Sequence, residues 1–190
     1  MGFHTFDAEK AERLERPAVR YRWVSAEEVI GALTPDRADR AAATVADLGS
    51  GTGFYTDAVA PHVETVYGVD VQAEMHAFYR EKGVPENVVL VESDVATLPF
   101  EDGELDAAFS TMTYHEFASD DALAELARMI RTGGRLALFD WSAAGDGEHG
   151  PSADERFAAS DAVATLAAAR FEVLSASERT ETFAVVARAP

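Results

Sequence analysis

The sequence predicts an α/β fold built on a mostly parallel sheet. Three observations carry this reading. Seven short apolar runs recur along the chain, and most are separated by stretches of helical periodicity, the pattern of βαβ units. A glycine-rich turn, Asp47-Leu48-Gly49-Ser50-Gly51-Thr52-Gly53, directly follows the first run and precedes a helical stretch. The last two runs are joined only by the short polar Ala176–Glu181, too short for a crossover helix, so they form an antiparallel hairpin.

The elements follow in order. The stretch before Pro35 reads as a helical lid (1–35) on a core of 36–190, the whole being one domain. Within the lid, Ser25 and Glu28 make a capping box ahead of Val29, Ile30 and Leu33. Val45–Leu48 is the first strand, Thr65–Val69 the second, Val88–Glu92 the third, Leu105–Ser110 the fourth and Arg135–Phe139 the fifth. Phe171–Ser175 and Thr182–Ala187 make the closing hairpin. Gln72–Glu81 is helical and stops before Gly83 and Pro85. Asp120 caps a helix through Ala122, Leu123, Leu126 and Met129 that ends at Gly133 and Gly134. Asp154–Ala169 is the last helix, and the Gly-rich, acidic Ser142–Ser152 is expected to be a mobile loop.

Composition removes whole classes of function. The chain has 190 residues, no cysteine, and 16 basic against 34 acidic residues, a formal charge of −18. Without cysteine there is no disulfide, thiolate nucleophile or cysteine-based metal site. Such an acidic chain repels phosphate backbones, and its basic residues form no patch, so no nucleic-acid partner is expected. No apolar run is long enough to span a bilayer and no signal peptide is visible, which predicts a cytoplasmic protein without membrane insertion. Only Lys10 and Lys82 are lysines, and the carboxylate excess suggests a halophilic source, where salt screens self-repulsion. His4, His62, His76 and His149 share no ligand spacing, so no metal site is expected.

The glycine-rich turn carries the strongest signal. Three alternating glycines after a buried strand let the backbone approach a ligand, with amide groups facing it. A dinucleotide fingerprint would place its third small residue at position 54, and that residue is Phe54. The turn instead resembles the E/D-x-G-x-G-x-G motif of class I S-adenosylmethionine-dependent methyltransferases. The likeness is greatest to their small ubiquinone/menaquinone-biosynthesis-like branch (methyltransferase type 11). It covers Ala43 to Trp141 closely, through motifs in the family's order: Tyr67-Gly68-Val69-Asp70, Ser93-Asp94-Val95 with Leu98-Pro99-Phe100, Asp106-Ala107-Ala108-Phe109-Ser110, and Arg131-Thr132-Gly133-Gly134. Thr132 stands where the family most often has proline. The resemblance implies a Rossmann-like, mostly parallel seven-stranded sheet with helices on both faces and the C-terminal antiparallel hairpin.

It also implies a site for S-adenosylmethionine. Asp70, 19 residues after Gly51, would accept the ribose hydroxyls, or alternatively cap the following helix. Asp94 would accept from the adenine amino group while the Val95 amide addresses the ring. Met75 and Leu98 would line the adenine or simply pack. Asp47 would fix the loop or reach the amino end of the methionine moiety. Gly49, Ser50, Gly51, Gly53, Val71 and Ser110 complete the expected cofactor contacts.

After the fourth strand, amino-methylating DNA enzymes of the family carry D/N-P-P-Y/F, where this chain has Thr111-Met112-Thr113-Tyr114. That activity is unsupported. His115 next to it is either a general base or a hydrogen-bonded loop anchor with Glu116 as solvated surface, and Tyr114 either orients an acceptor or packs. Near the N-terminus, Phe3, Phe6, Tyr21, Arg22 and Trp23 would close over the cofactor or pack as an amphipathic lid. The expected function is methyl transfer to a small-molecule acceptor. Two alternatives stand beside it: a non-catalytic cofactor-binding regulator or assembly partner, and a nicotinamide-dependent oxidoreductase.

Overall fold

The computed structural model describes residues 11–33 and 37–190. Phe3, His4, Phe6 and Pro35 lie outside the described residues. Four helices open the described chain: α1 (Ala11–Leu14), α2 (Pro17–Arg20), α3 (Ala26–Leu33) and α4 (Arg37–Ala41). Then come β1 (Thr44–Leu48), α5 (Phe54–Val59), β2 (Thr65–Asp70), α6 (Ala73–Lys82), β3 (Val88–Glu92) and β4 (Leu105–Thr111). The chain closes with α7 (Tyr114–Phe117), α8 (Asp120–Met129), β5 (Ile130–Trp141), α9 (Ala159–Ala168), β6 (Glu172–Glu178) and β7 (Thr182–Arg188).

The seven strands form one sheet in the order β3-β2-β1-β4-β5-β7-β6. β1 to β5 pair in parallel, whereas β7 runs antiparallel to both β5 and β6. The fold class and the closing hairpin are those expected from the sequence. Strand pleating sends alternate side chains to opposite faces, and both faces are apolar. Ala46, Leu48, Ala108, Leu136 and Leu138 join Leu123 and Leu126 of α8 and Leu166 of α9 in one cluster. Val45, Ala107, Phe109 and Phe139 join Val29 and Leu33 of α3, Val59 of α5 and Tyr79 of α6 in the other. Helices therefore cover both faces. The capping box at α3 is formed, with Ser25 N donating to Glu28 Oε2 at 2.9 Å and Glu28 N to Ser25 Oγ at 3.2 Å.

Several boundaries differ from expectation. Ser119, not Asp120, caps α8, its Oγ accepting from Ala122 N at 3.2 Å. That helix stops at Met129 because Ile130 is already extended and paired with Leu105, so Gly133 and Gly134 lie inside β5. The expected last helix is split into a 3-10 turn (Ala153–Glu155) and α9, because Phe157 between them bridges to Ser142.

Ser142–Ser152 is fastened rather than free. The buried Arg156 donates from Nε to Pro151 O at 3.0 Å and from Nη1 to Ser142 O at 3.3 Å, and its Nη2 reaches His149 O. Glu181 stands 3.6 Å from Arg156 and accepts from Asp146 N at 3.1 Å. A buried cation on three carbonyls thus holds this flap down. The stretch expected to be a lid also divides. Residues 13–23 include cavity-lining positions, while α3 belongs to the core.

Candidate active site

The strand order reverses between β1 and β4, and a cavity of about 790 Å³ opens at the carboxyl ends of these strands. Open α/β sheets bind ligands at such switch points. Nine of the expected site residues line it: Gly49, Ser50, Gly51, Asp70, Val71, Met75, Asp94, Val95 and His115. Asp70 ends β2 and takes two backbone amides, Gly51 N on Oδ2 at 2.7 Å and Gln72 N on Oδ1 at 2.9 Å. Burial raises its pKa, and these amide bonds work against the rise. Asp94 caps the 3-10 turn Val95–Thr97, accepting from Ala96 N at 2.8 Å.

Four expected site residues lie outside the cavity wall. Asp47 is buried beneath the loop, where Thr56 Oγ1 donates to its Oδ2 at 2.6 Å. Burial pushes its carboxyl up to about 7. Ser110 is fully buried and donates to Leu48 O at 2.9 Å, tying β4 to β1. Tyr114 is fully buried, its hydroxyl on Thr165 Oγ1 at 3.0 Å and its ring against Phe117, Phe157 and Phe183. Gly53 has φ 80° and sits against the Tyr79 ring, 2.1 Å from where a Cβ would stand. It is therefore a packing glycine under the loop. Leu98 also belongs to the core, and Tyr21 lies outside the lining with its ring on Phe54 at 5.1 Å.

Gly53→Ala is accordingly expected to destabilise the fold by about 2–4 kcal/mol, from overpacking against a buried ring plus a left-handed backbone. Urea unfolding measures it. A midpoint equal to that of the unaltered protein would contradict the packing role.

The other wall is polar. Met112 adopts φ 61°, a left-handed turn that takes the chain off β4 and into α7. This brings His115 under the end of β5. Its Nδ1 lies 2.9 and 3.0 Å from the two carboxylate oxygens of Asp140, and its backbone N donates to Asp140 Oδ2 at 2.6 Å. Asp140 is fully buried and also accepts from Trp141 N at 2.8 Å. Burial opposes protonation of His115, but the hydrogen bond and charge of Asp140, with Glu116 and Glu155, outweigh it and raise the histidine pKa. Nε2 is 3.8 Å from Glu116 Oε1. Glu116 is no surface residue. It lines the cavity, and burial pushes its carboxyl up to about 7.

Asp140 and Arg20 went unnoticed in the sequence. Asp140 follows an apolar strand without any motif, and only its register beside His115 marks it. Arg20 stood among scattered arginines. It lines the cavity over the Tyr55 ring at 4.9 Å, and its buried Nε has no partner among the described residues. Burial lowers its pKa. Arg22 and Trp23 of the N-terminal stretch line the cavity, as does His149 of the flap.

This arrangement, with a glycine loop after β1 and an acid ending β2, belongs to the S-adenosylmethionine-dependent methyltransferase fold. A crystal structure of such an enzyme from Aquifex aeolicus superimposes with a TM-score of 0.85 and 28% identity, covering 98% of this chain and 100% of that one. Residues 46–138 match the family model described as a methyltransferase domain. The fold is thus that of the S-adenosylmethionine-dependent methyltransferases, and the similarity over residues 46–138 supports S-adenosylmethionine as the cofactor. That likeness speaks against the nicotinamide alternative.

Among curated proteins, it is 35% identical over 99 residues to a demethylmenaquinone methyltransferase of Corynebacterium kroppenstedtii, covering 52% of this chain and 42% of the relative. It is 29% identical over 106 residues to an uncharacterized methyltransferase of Geobacillus thermodenitrificans, covering 54% of this chain and 49% of the relative. The chain spans about half the length, or less, of these curated relatives.

The residues present fit this cofactor. The buried Arg20 Nε and Ser50 Oγ lack partners among the described residues, as a zwitterionic, hydroxyl-rich ligand requires. Among those residues no cluster of His, Asp and Glu suits a metal ion, and no helix is long and apolar enough to cross a membrane.

Proposed function

We propose that this chain, as one domain with an N-terminal lid, methylates a small-molecule acceptor that gives up a proton, and that His115 takes that proton. The carrying observation is the His115–Asp140 pair in the cavity wall. Asp140 engages Nδ1, which leaves Nε2 as the nitrogen free to accept a proton. Asp70 would hold the ribose hydroxyls, and Asp94 with the Val95 amide the adenine. Gly49, Ser50 and Gly51 would cradle the methionine end, with Arg20 on its carboxylate. Val71 and Met75 would supply apolar contacts. When bound, the cofactor supplies a methyl group activated by its sulfonium. The protein's part is to orient the two reactants, exclude water and remove the proton.

The test is calorimetric titration in molar potassium chloride, which allows for the acid excess, followed by turnover with acceptor panels. Micromolar binding of S-adenosylmethionine and S-adenosylhomocysteine, no binding of NAD, and a methylated product are expected. Cofactor binding with no turnover on any acceptor would favour the non-catalytic regulator. No cofactor binding by folded protein would overturn the reading.

A further inference from the structure

The acceptor end of the cavity has a composition of its own. The chain contains two tryptophans, and both line this end. Trp23 and Trp141 meet edge to face, with ring centroids 5.1 Å apart. His149 of the flap packs on Trp23 at 5.4 Å. Gly150 beside it lets the flap lie directly on the Trp141 indole, because a Cβ there would stand 2.5 Å from Cδ2. Arg22 lies over Trp23 at 4.5 Å and reaches His149 Nε2 at 3.5 Å, and no carboxylate among the described residues pairs with it. The base is built into the same wall, since Asp140 holds both His115 Nδ1 and the backbone N of Trp141.

Resting on the methyl-transfer reading, we propose that the acceptor is a compact hydroxyaryl carboxylate. Its ring packs against the Trp23–Trp141 pair, its carboxylate meets Arg22, and its hydroxyl faces His115 Nε2. Three features argue for it. Flat aromatic walls favour a planar ring over a saturated one. A histidine can take the proton of a phenol, whose pKa is about 10, far more readily than that of an aliphatic alcohol. The fastened flap and a cavity of about 790 Å³ that must hold cofactor and acceptor together favour a small molecule over a long-tailed one. In the step, the hydroxyl proton passes to His115 Nε2 and the oxygen's electron pair forms the O–CH3 bond. The pair of the broken S–CH3 bond stays on sulfur as a thioether.

Because both tryptophans line this end, their fluorescence reports on it directly. The probes are 4-hydroxybenzoate, its saturated analogue 4-hydroxycyclohexanecarboxylate, and phenol, each titrated into protein saturated with S-adenosylhomocysteine. 4-Hydroxybenzoate is expected to quench saturably and to bind at least tenfold more tightly than either comparison compound. Arg22→Gln, an exposed change, should weaken the acid at least fivefold and leave phenol unaffected. Trp23→Phe should weaken both aromatic probes less than Trp23→Ala does. Mass spectrometry should find the O-methyl product. Equal affinity for the saturated analogue, or no response to 4-hydroxybenzoate by protein that binds S-adenosylhomocysteine, would overturn the acceptor class and leave methyl transfer standing. Failure to bind S-adenosylhomocysteine would overturn both.

Discussion

Asp70→Ala is expected to lower affinity for S-adenosylhomocysteine at least about 100-fold while the domain stays folded. Two charge-assisted hydrogen bonds to ribose hydroxyls, as proposed for Asp70, would account for that size at about 1.5–3 kcal/mol each. The carboxylate also has work within the protein, accepting Gly51 N and Gln72 N. Freeing those amides costs about 1–3 kcal/mol, or several degrees of melting temperature at about 2–4 °C per kcal/mol for a chain of this length. Part of that loss is returned, because burial works against the charged carboxylate and raises its pKa. The sign is clear: with its folded pKa raised, ionised Asp70 is less favourable in the fold than in the unfolded chain. The variant should therefore lose binding far out of proportion to stability. Titration calorimetry and a thermal melt decide it. Wild-type affinity in a folded Asp70→Ala protein would remove the ribose assignment.

Much of this was legible in the sequence because it is local. The glycine loop, the acid ending β2 and the closing hairpin depend on short-range turn chemistry and strand periodicity, and each stands where its residues put it. Ser25 and Glu28 cap a helix just as their spacing requires. What was misread depends on register between distant segments. Tyr114 and His115 are neighbours in the chain, yet the helical turn at Tyr114–Phe117 sends one into the core and the other to the cavity. Glu116 looked like surface because nothing local shows the cavity wall that it joins. Asp140 lies 25 residues from His115 and meets it only because β4 and β5 are paired. Ser110 shows the reverse error. The family resemblance implied a ligand contact there, but its hydroxyl is already used to join two strands.

Replacing His115 should cost turnover and spare cofactor binding. His115→Ala is expected to lower kcat about 10²–10⁴-fold, the usual contribution of a positioned base, with unchanged affinity for S-adenosylhomocysteine. Asp140 acts through His115, so Asp140→Asn should cost less in kcat and should also change the pH profile. The base works when neutral, so the rate rises with pH through the pKa of His115. Asp140 raises that pKa against the opposing effect of burial, so its removal moves the acid limb of the profile to lower pH. Stability has its own sign. A histidine whose folded pKa is raised stabilises the fold fully below its unfolded value of about 6.5, and that contribution fades as pH rises through the folded value. The Asn variant lacks it, so the difference in melting temperature between wild type and variant should shrink as pH rises across that window. The variant also leaves an amide of His115 or Trp141 poorly paired, a loss that does not depend on pH. A structural anchor would show only this constant loss. An acid limb that stays in place in Asp140→Asn, in a protein that still turns over, would mean that His115 holds the loop and moves no proton.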